Sequence, residues 1–320
     1  VWADGMITLG GYGGYVIVGF DHPVVNMHTW DFDIQGNAFV SNQESRGGSS
    51  EPGIVMVGVD MDGDGKPSDG DKWYELAGSE YYHPKTQHDY TITYYRPDEG
   101  KQRTPSHVNP YLNDTTYIRW TSNDVNPDSA SGFMSRNTYH NQPYWPLWLQ
   151  GEEQLVFSGS KLRCNAVDKG GNEGNSYYVQ YFFEWGYVDN LPNNPMRIPQ
   201  ENGVYNPGFK IDWAVDKYGN HVNLTHIDFI KVYNALNQYC GWTGETSTEV
   251  AGGIDYHPDA VMPQQLRGDV NGDGNVNIGD VNLIIGMILD DSTALPSADV
   301  NGDGIVNIGD VNAVIALILK

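Results

Sequence analysis

The segment DVNGDGNVNIGD, residues 269–280, recurs almost unchanged as DVNGDGIVNIGD at residues 299–310. The two copies begin 30 residues apart, and each one precedes an apolar stretch, VNLIIGMIL at 281–289 and VNAVIALIL at 311–319. A polar loop followed by an apolar stretch, repeated at a constant period, predicts two loop–helix units that pack against each other. This repeat decides the fold of the C-terminal part of the chain.

Each copy carries oxygen-bearing side chains at the spacing of a calcium loop. Asp or Asn occupies positions 1, 3, 5, 9 and 12, and glycine occupies position 6. Alternate positions of such a loop point inward around a hard cation, position 7 offers its carbonyl, and the twelfth residue closes the shell. We therefore predict one calcium ion in each copy. The predicted ligands are Asp269, Asn271, Asp273, Asn275, Asn277 and Asp280 in the first copy, and Asp299, Asn301, Asp303, Ile305, Asn307 and Asp310 in the second.

The D-x-N-x-D-G-x-x-N-x-x-D pattern of both copies resembles that of type I dockerin domains over residues 269–320. The resemblance implies a secreted or cell-surface protein, because dockerins rely on extracellular calcium, and it implies a cohesin domain as partner. Dockerins usually recognise cohesin through positions 10 and 11 of each loop, often a Ser-Thr type pair. Those positions are Ile278–Gly279 and Ile308–Gly309 here, which are apolar. A dockerin that docks on its own chain, or that only caps the C-terminus, is the alternative.

Residues 1–257 predict a mainly β domain. β-branched and aromatic segments are separated by clusters of Gly, Pro, Asn and Asp, and no segment sustains a helical apolar period. We predict a jelly-roll-like β-sandwich, followed by a linker at 258–268. IDFIKVYN, residues 227–234, resembles the closing strand of lectin-like jelly rolls. The predicted strands are YVIVGF (15–20), IVMVGVD (54–60), YTITYY (90–95), TYIRW (116–120), YYVQYFFEWGYV (177–188), FKIDWAV (209–215) and IDFIKVY (227–233).

A third calcium pattern lies inside the β domain, in DMDGDGKPSDGD at residues 60–71. The segment WYELAG, which follows this loop, predicts a strand rather than a helix. We predict a structural calcium ion here, because every ligand is a protein oxygen and a filled shell leaves no position for a substrate. A solvated acidic hairpin is the alternative. The predicted ligands are Asp60, Asp62, Asp64, the carbonyl of Lys66 and Asp71, with Asp69 as a competitor for the closing position.

The segment YHNQPYWPLWLQG, residues 139–151, sets aromatic rings among prolines, as expected of a stiff loop. Rings on such a loop make flat stacking platforms for sugars or other planar ligands. The alternative is that these rings plug one end of the sandwich. The predicted ligand-binding residues are His140, Tyr144, Trp145 and Trp148.

Composition narrows the classes of partner. The 320 residues carry a net charge of −23, which disfavours nucleic acid and anionic membrane surfaces. No apolar run approaches the roughly 20 residues that span a bilayer.

The sequence contains two cysteines, Cys164 and Cys240. A disulfide between them and two separate thiols are equally compatible with the sequence. Without a signal-like opening segment, Val1 is expected to be a mature start, on a secreted protein or one with a lipid anchor.

Phrases throughout the large domain resemble a group of Bacteroidetes cell-surface proteins and lipoproteins, some relatives of which are associated with vitamin B12 capture. These phrases include SEPGIVMVGVDMDGDG (50–65), DKWYELAGSEY (71–81) and GWTGETSTEVAGGID (241–255). The resemblance implies a non-catalytic protein that binds an extracellular nutrient, with glycan and cobamide as the open ligand classes. A glycan-processing hydrolase is the alternative, because dockerins are commonly fused to such enzymes. The chain lacks the E-x-D-x-E run of lectin-like jelly-roll hydrolases.

Overall fold

A computed structural model describes most of the chain, namely residues 5–68, 70–140, 142–170, 176–194, 204–262, 266–290 and 295–320. The N-terminal region is built from antiparallel sheets, and the C-terminal region contains two helices. The prediction of a mainly β sandwich followed by a small helical domain is therefore confirmed. In the described residues, the helices of the large domain are short 3-10 turns, at Pro127–Ser129, Leu147–Leu149, Ile211–Trp213 and Gly241–Thr243.

The strands are short, and their bounds follow the β-branched and aromatic segments of the sequence. They are β1 (Ile7–Thr8), β2 (Tyr15–Val18), β3 (Val24–Val25), β4 (Phe32–Gln35), β5 (Phe39–Val40), β6 (Gly47–Ser49), β7 (Gly53–Val59), β8 (Lys72–Leu76), β9 (Gln87–Tyr95), β10 (Leu112–Ser122), β11 (Ser131–Asn137), β12 (Gln154–Lys161), β13 (Ala166–Asp168), β14 (Tyr178–Tyr181), β15 (Ala214–Val215), β16 (His226–Ile227), β17 (Phe229–Asn234), β18 (Glu249–Val250) and β19 (Gly252–Asp255).

A five-stranded antiparallel sheet in the order β15-β8-β7-β17-β2 forms the centre of the large domain. Successive side chains of a strand point to opposite faces, so one face carries Val55, Val57, Ile230 and Val232 into the main apolar core. Ile230 and Val232 belong to the segment that resembles a closing strand, and both point inward. The opposite face carries the second of the two clefts described below.

A four-stranded sheet in the order β11-β10-β9-β12 forms a second core under the aromatic residues of β9. Tyr90, Ile92 and Tyr94 alternate along this strand, and all three are fully buried. The other sheets are built from short strands: one has four strands in the order β13-β14-β6-β5, and β1-β18, β16-β3 and β19-β4 are pairs.

Cys164 and Cys240 are both free thiols, so they form no disulfide with each other.

Two predicted strands are shorter than their sequence pattern. In 177–188 the strand ends at Tyr181, and Gly186 has a φ of +88°, outside the extended region. A Cβ at Gly186 would lie 2.5 Å from the Cα of Gly78, so the chain turns here to pass close to another backbone segment. In 209–215 a 3-10 turn occupies Ile211–Trp213 and only Ala214–Val215 pairs as a strand.

The C-terminal domain consists of α1 (Ile278–Asp290), a 3-10 turn at Pro296–Ala298 and α2 (Ile308–Ile318). Both helices begin at position 10 of their loops, three residues before the apolar stretch that predicted them. Their shared core is aliphatic, with Ile284 and Val314 fully buried. Across the described part of the chain, neither helix has the length or the apolar run that crossing a bilayer requires.

Candidate functional site

The first C-terminal loop, residues 269–280, is organised around two aspartates. Asp269 Oδ2 accepts a hydrogen bond of 2.9 Å from Gly274 N. Asp280 accepts from Val270 N at 2.7 Å through Oδ1 and from Asn277 N at 2.8 Å through Oδ2. These bonds hold the first and last carboxylates of the loop against its own backbone.

The second C-terminal loop, residues 299–310, repeats this arrangement. Gly304 N donates to Asp299 Oδ2 at 2.8 Å, and Asn307 N donates to Asp310 Oδ2 at 2.9 Å. Gly304 has a φ of +82°, a conformation in which glycine is favoured because it has no Cβ. The two loops therefore share one geometry as well as one sequence.

The large-domain loop, residues 60–71, has the same pattern at the same positions. Gly65 N donates to Asp60 Oδ2 at 2.8 Å, and Gly65 has a φ of +73°. Asp71 accepts from Met61 N at 3.0 Å and from Ser68 N at 2.6 Å, at positions 2 and 9, as Asp280 does in the first C-terminal loop. Although a strand follows instead of a helix, the local geometry is that of the C-terminal loops.

Three carboxylates of the large-domain loop converge. One oxygen each of Asp60, Asp62 and Asp71 lies within 4.8 Å of the others, which is a spacing that a calcium ion can bridge. Asp64 accepts from Lys66 N at 2.8 Å. Asp69, the predicted competitor for the closing position, lies outside the described residues, and the bonds of Asp71 match those of the closing residues Asp280 and Asp310.

The large-domain loop also contacts the C-terminal domain. Met61, at position 2 of its loop, packs against the C-terminal core, which contains the position-2 residues Val270 and Val300. Thr225 Oγ1 donates a hydrogen bond of 2.9 Å to Gly272 O in the first C-terminal loop. The C-terminal domain thus docks on its own chain through one rim of its first loop.

The first cleft of the large domain has a volume of about 760 Å³. It lies between the glycine-rich segment 9–15, the predicted aromatic loop and residues 243–245. All four predicted ligand-binding residues line it from the aromatic loop: Trp148 is 84% exposed, His140 is exposed, Tyr144 is half-buried and Trp145 is buried. Exposed rings at the mouth of a cleft are available for stacking.

Trp145 has a different place from the one predicted. Its side chain is only 3% exposed and belongs to the core under β9. The indole N–H donates to Leu149 O at 3.1 Å, and the ring lies edge-on to Tyr12 with centroids 6.2 Å apart. Pro146 starts the 3-10 turn that folds Leu149 back over the indole. The burial of Trp145 favours the interpretation in which this ring plugs the sandwich, although the residue also lines the first cleft.

Glu245 lies in the wall of the first cleft with its carboxyl group turned inward. Tyr94 OH donates to both carboxyl oxygens, at 2.7 and 2.9 Å, and Asn237 N donates to Oε1 at 3.2 Å. Burial raises the pKa of Glu245 to about 7, although the Tyr94 hydroxyl opposes the shift. At neutral pH this carboxyl group is therefore partly protonated and can either donate or accept a hydrogen bond.

The second cleft has a volume of about 530 Å³ and lies over the outer face of the five-stranded sheet. One row of side chains across three neighbouring strands lines it, because Met56 pairs in register with Glu75 on one side and with Lys231 on the other. Trp73 contributes an aromatic wall next to them and stacks on Phe229, with centroids 6.1 Å apart.

Glu75 and Lys231 are the charged groups at the centre of this cleft. Ser160 Oγ donates to Glu75 Oε2 at 2.8 Å. Burial raises the pKa of Glu75 to about 7, and burial lowers the pKa of Lys231. The ammonium group of Lys231 lies 4.5 Å from the ring centroid of Tyr15. Both groups are thus held with incomplete hydration, a condition under which polar contacts to a ligand are strong.

Comparison with protein families bears on the C-terminal domain. Residues 267–319 match the family model described as the dockerin type I domain. The C-terminal domain is a type I dockerin. Type I dockerins typically bind calcium, and a dockerin implies attachment to a cohesin, as in a cellulosome-like complex. Proteins that carry one are typically extracellular.

The large domain remains unidentified, because the dockerin match ends at its border. No curated protein matches the chain. The predicted resemblance to cell-surface proteins, and with it the association with vitamin B12, stays a prediction. Function in the large domain has to be argued from its clefts.

The dockerin presents its predicted recognition positions to solvent. Ile278 and Ile308 are each 64% exposed, one at the start of each helix. The contact with the large domain covers the loop rim at Gly272 and leaves both isoleucines accessible. Docking on the same chain and binding of a partner through these positions are therefore compatible.

Sequence reasoning missed Glu75, Lys231 and Glu245. Glu75 and Lys231 alternate with core residues on ordinary strands, as a solvated residue would. Glu245 lies in a loop between Gly244 and Thr246. Nothing local marks any of the three, because their environment is made by strands distant in sequence.

Proposed function

We propose that this protein is a calcium-stabilised glycan-binding protein that its dockerin attaches to a cohesin-bearing extracellular complex. The observation that supports it best is the first cleft, where Trp148 projects into solvent beside Tyr144 and a buried carboxyl group. Sugar rings bind by stacking an apolar face on an aromatic ring, while their hydroxyl groups hydrogen-bond to polar groups at the wall. Trp148 and Glu245 offer these two kinds of contact in one cleft.

The experiment is a binding screen of the full chain against a panel of polysaccharides, with one matched pair of variants. Trp148→Ala removes the exposed ring of the cleft, and we expect it to weaken glycan binding by about 1–3 kcal/mol. Tyr218→Ala removes an equally exposed ring outside both clefts and should bind like the wild type. Unchanged binding in Trp148→Ala would exclude this cleft as the glycan site.

We assign calcium to all three loops. In the dockerin loops the assignment rests on the family as well as the ligand pattern. In the large-domain loop it rests on the converging Asp60, Asp62 and Asp71 and on hydrogen bonds that match those of the dockerin loops. The role is structural, because the ion would tie together a loop that supports the dockerin through Met61.

We assign cohesin recognition to Ile278 and Ile308, whose exposure suits an apolar contact. Binding to a panel of type I cohesins should weaken in Ile278→Asp and Ile308→Asp, because an aspartate would be desolvated on contact. Leu289→Asp, at an exposed position near the end of α1 and outside both loops, is the matched control. Equal loss in all three variants would show that the charge acts generally and not at the assigned positions.

A glycan-processing hydrolase is the second candidate function. Glu75 favours it, because burial holds its pKa near 7, where a carboxyl group can serve as a general acid. Asp89 and Asp216 line the same cleft and would be the partner carboxylates. Release of reducing ends from any bound polysaccharide, lost in Glu75→Gln with binding retained, would establish hydrolysis; no release would leave binding as the function.

A further inference from the structure

The two clefts of the large domain adjoin each other. Gly13, Tyr15 and Phe157 line both of them. Gly13 has a φ of +63°, and a Cβ on it would lie 2.6 Å from Phe157 Cγ. Glycine is therefore required where the segment passes the Phe157 ring, and no side chain rises from Gly13 at the border between the clefts.

Resting on the proposed function, we infer that the two clefts form one groove that holds a neutral polysaccharide chain across Tyr15. The chain would occupy the first cleft with some of its sugars and the second cleft with others. The groove would then distinguish a polymer from a small molecule, which fills only one cleft.

Size favours a chain. A single small-molecule site usually measures roughly 300–1,000 Å³, and each cleft falls within that range. Together, at about 760 and 530 Å³, they exceed it. A ligand that fills both must reach across the residues that the clefts share, Gly13, Tyr15 and Phe157.

Aromatic rings stand at both ends and at the border. Trp148 lies in the first cleft and Trp73 in the second, and Tyr15, 59% exposed, lines both. Lys231 Nζ lies against the Tyr15 ring and brings hydrogen-bond donors to the same point. Rings at successive places along a groove suit a polymer of similar units, since each unit can stack in turn.

Charge selects a neutral polymer. The carboxyl groups, Glu245 in the first cleft and Glu75, Asp89 and Asp216 in the second, outnumber the two ammonium groups, Lys217 and Lys231, that line the second cleft. The chain as a whole carries a net charge of −23. Polyanions such as pectate would be repelled at long range, whereas the hydroxyl groups of a neutral chain pair with carboxyl oxygens without a charge penalty.

The test compares ligand lengths. The full chain, in calcium-containing buffer, is titrated calorimetrically with three-sugar and eight-sugar fragments of xyloglucan, galactomannan and mixed-linkage β-glucan. Polygalacturonate fragments serve as the charged comparison. We expect at least one neutral series in which the eight-sugar fragment binds about tenfold or more tighter than the three-sugar one, because both clefts then act on one molecule.

Variants locate the added affinity. Lys231→Met keeps the packing of the side-chain stem and removes donors that line only the second cleft, and Tyr15→Ala removes the shared ring. Both should reduce the advantage of the long fragment severalfold, and Tyr218→Ala should leave it unchanged. Thermal melts of each variant check that the fold is retained.

Three outcomes would overturn the inference, and they are distinguishable. Equal binding of short and long fragments, or a long-fragment advantage that survives both variants, leaves glycan binding in the first cleft but removes the groove. Tighter binding of polygalacturonate removes the neutral ligand class. Failure of every glycan to bind removes the groove and the proposed function together.

Discussion

Truncation of Trp145 tests the packing of the aromatic loop most directly. Its side chain is 3% exposed, and its N–H binds Leu149 O at 3.1 Å. Replacing a buried Trp by Ala destabilises a protein by about 3–5 kcal/mol, because transfer free energy is lost and a cavity remains. The loss of the hydrogen bond to Leu149 contributes about 1 kcal/mol of this. For a domain of this size, the Tm should fall by roughly 6–20 °C.

The assay is calorimetric unfolding of Trp145→Ala beside Trp148→Ala, in calcium-containing buffer. Trp148 is 84% exposed, so its truncation should change the free energy of unfolding by no more than about 0.5 kcal/mol. The two tryptophans are three positions apart, which makes each the control for the other. A Trp145→Ala protein that melts within about 1 °C of the wild type would refute the core position of the ring, and the platform hypothesis would return for both residues.

Three other predictions concern calcium, pH and the contact between the domains. Calorimetric titration should find three calcium ions in the wild type and two in Asp62→Ala. Chelation of calcium should remove the helical circular dichroism of the dockerin. A count of two in both proteins would mean that the large-domain loop is only an acidic hairpin. Burial raises the pKa of Glu75 to about 7 in the folded state, above the value of 4.5 in the unfolded state. Between pH 4.5 and about pH 7 the folded state therefore binds more protons than the unfolded state. The free energy of unfolding accordingly falls as the pH rises through this range. Relative to Glu75→Gln, the wild type should therefore lose roughly 1–3 kcal/mol between pH 5 and pH 8 in denaturant unfolding, and a constant difference would contradict the buried position of the carboxyl group. Met61→Ser should release the dockerin from the large domain, seen as a larger radius of gyration in solution scattering and faster amide exchange at Thr225. Met27→Ser, at an exposed site away from this contact, should not.

The calcium loops were predictable because their information is local. A twelve-residue loop places its own ligands, so Asp60 and Asp71 could be assigned to positions 1 and 12 by counting. The strands were predictable for a similar reason, since β9 alternates buried and half-buried residues and β17 is a short run rich in β-branched and aromatic residues. Prediction was poorer at 177–188, where the aromatic pattern continues past Tyr181 but the strand does not, because Gly186 must pass close to Gly78.

The sequence by itself determined the dockerin, its repeated loops and the β class of the large domain. Each of these depends on residues that are neighbours along the chain. The tertiary structure alone decided that Trp145 is buried, that Met61 meets the dockerin core, and that Glu75 and Glu245 lie in adjoining clefts. Burial and convergence depend on which strands pair across long separations, as when Tyr94 meets Glu245, and a residue's own neighbours in sequence carry no information about that pairing.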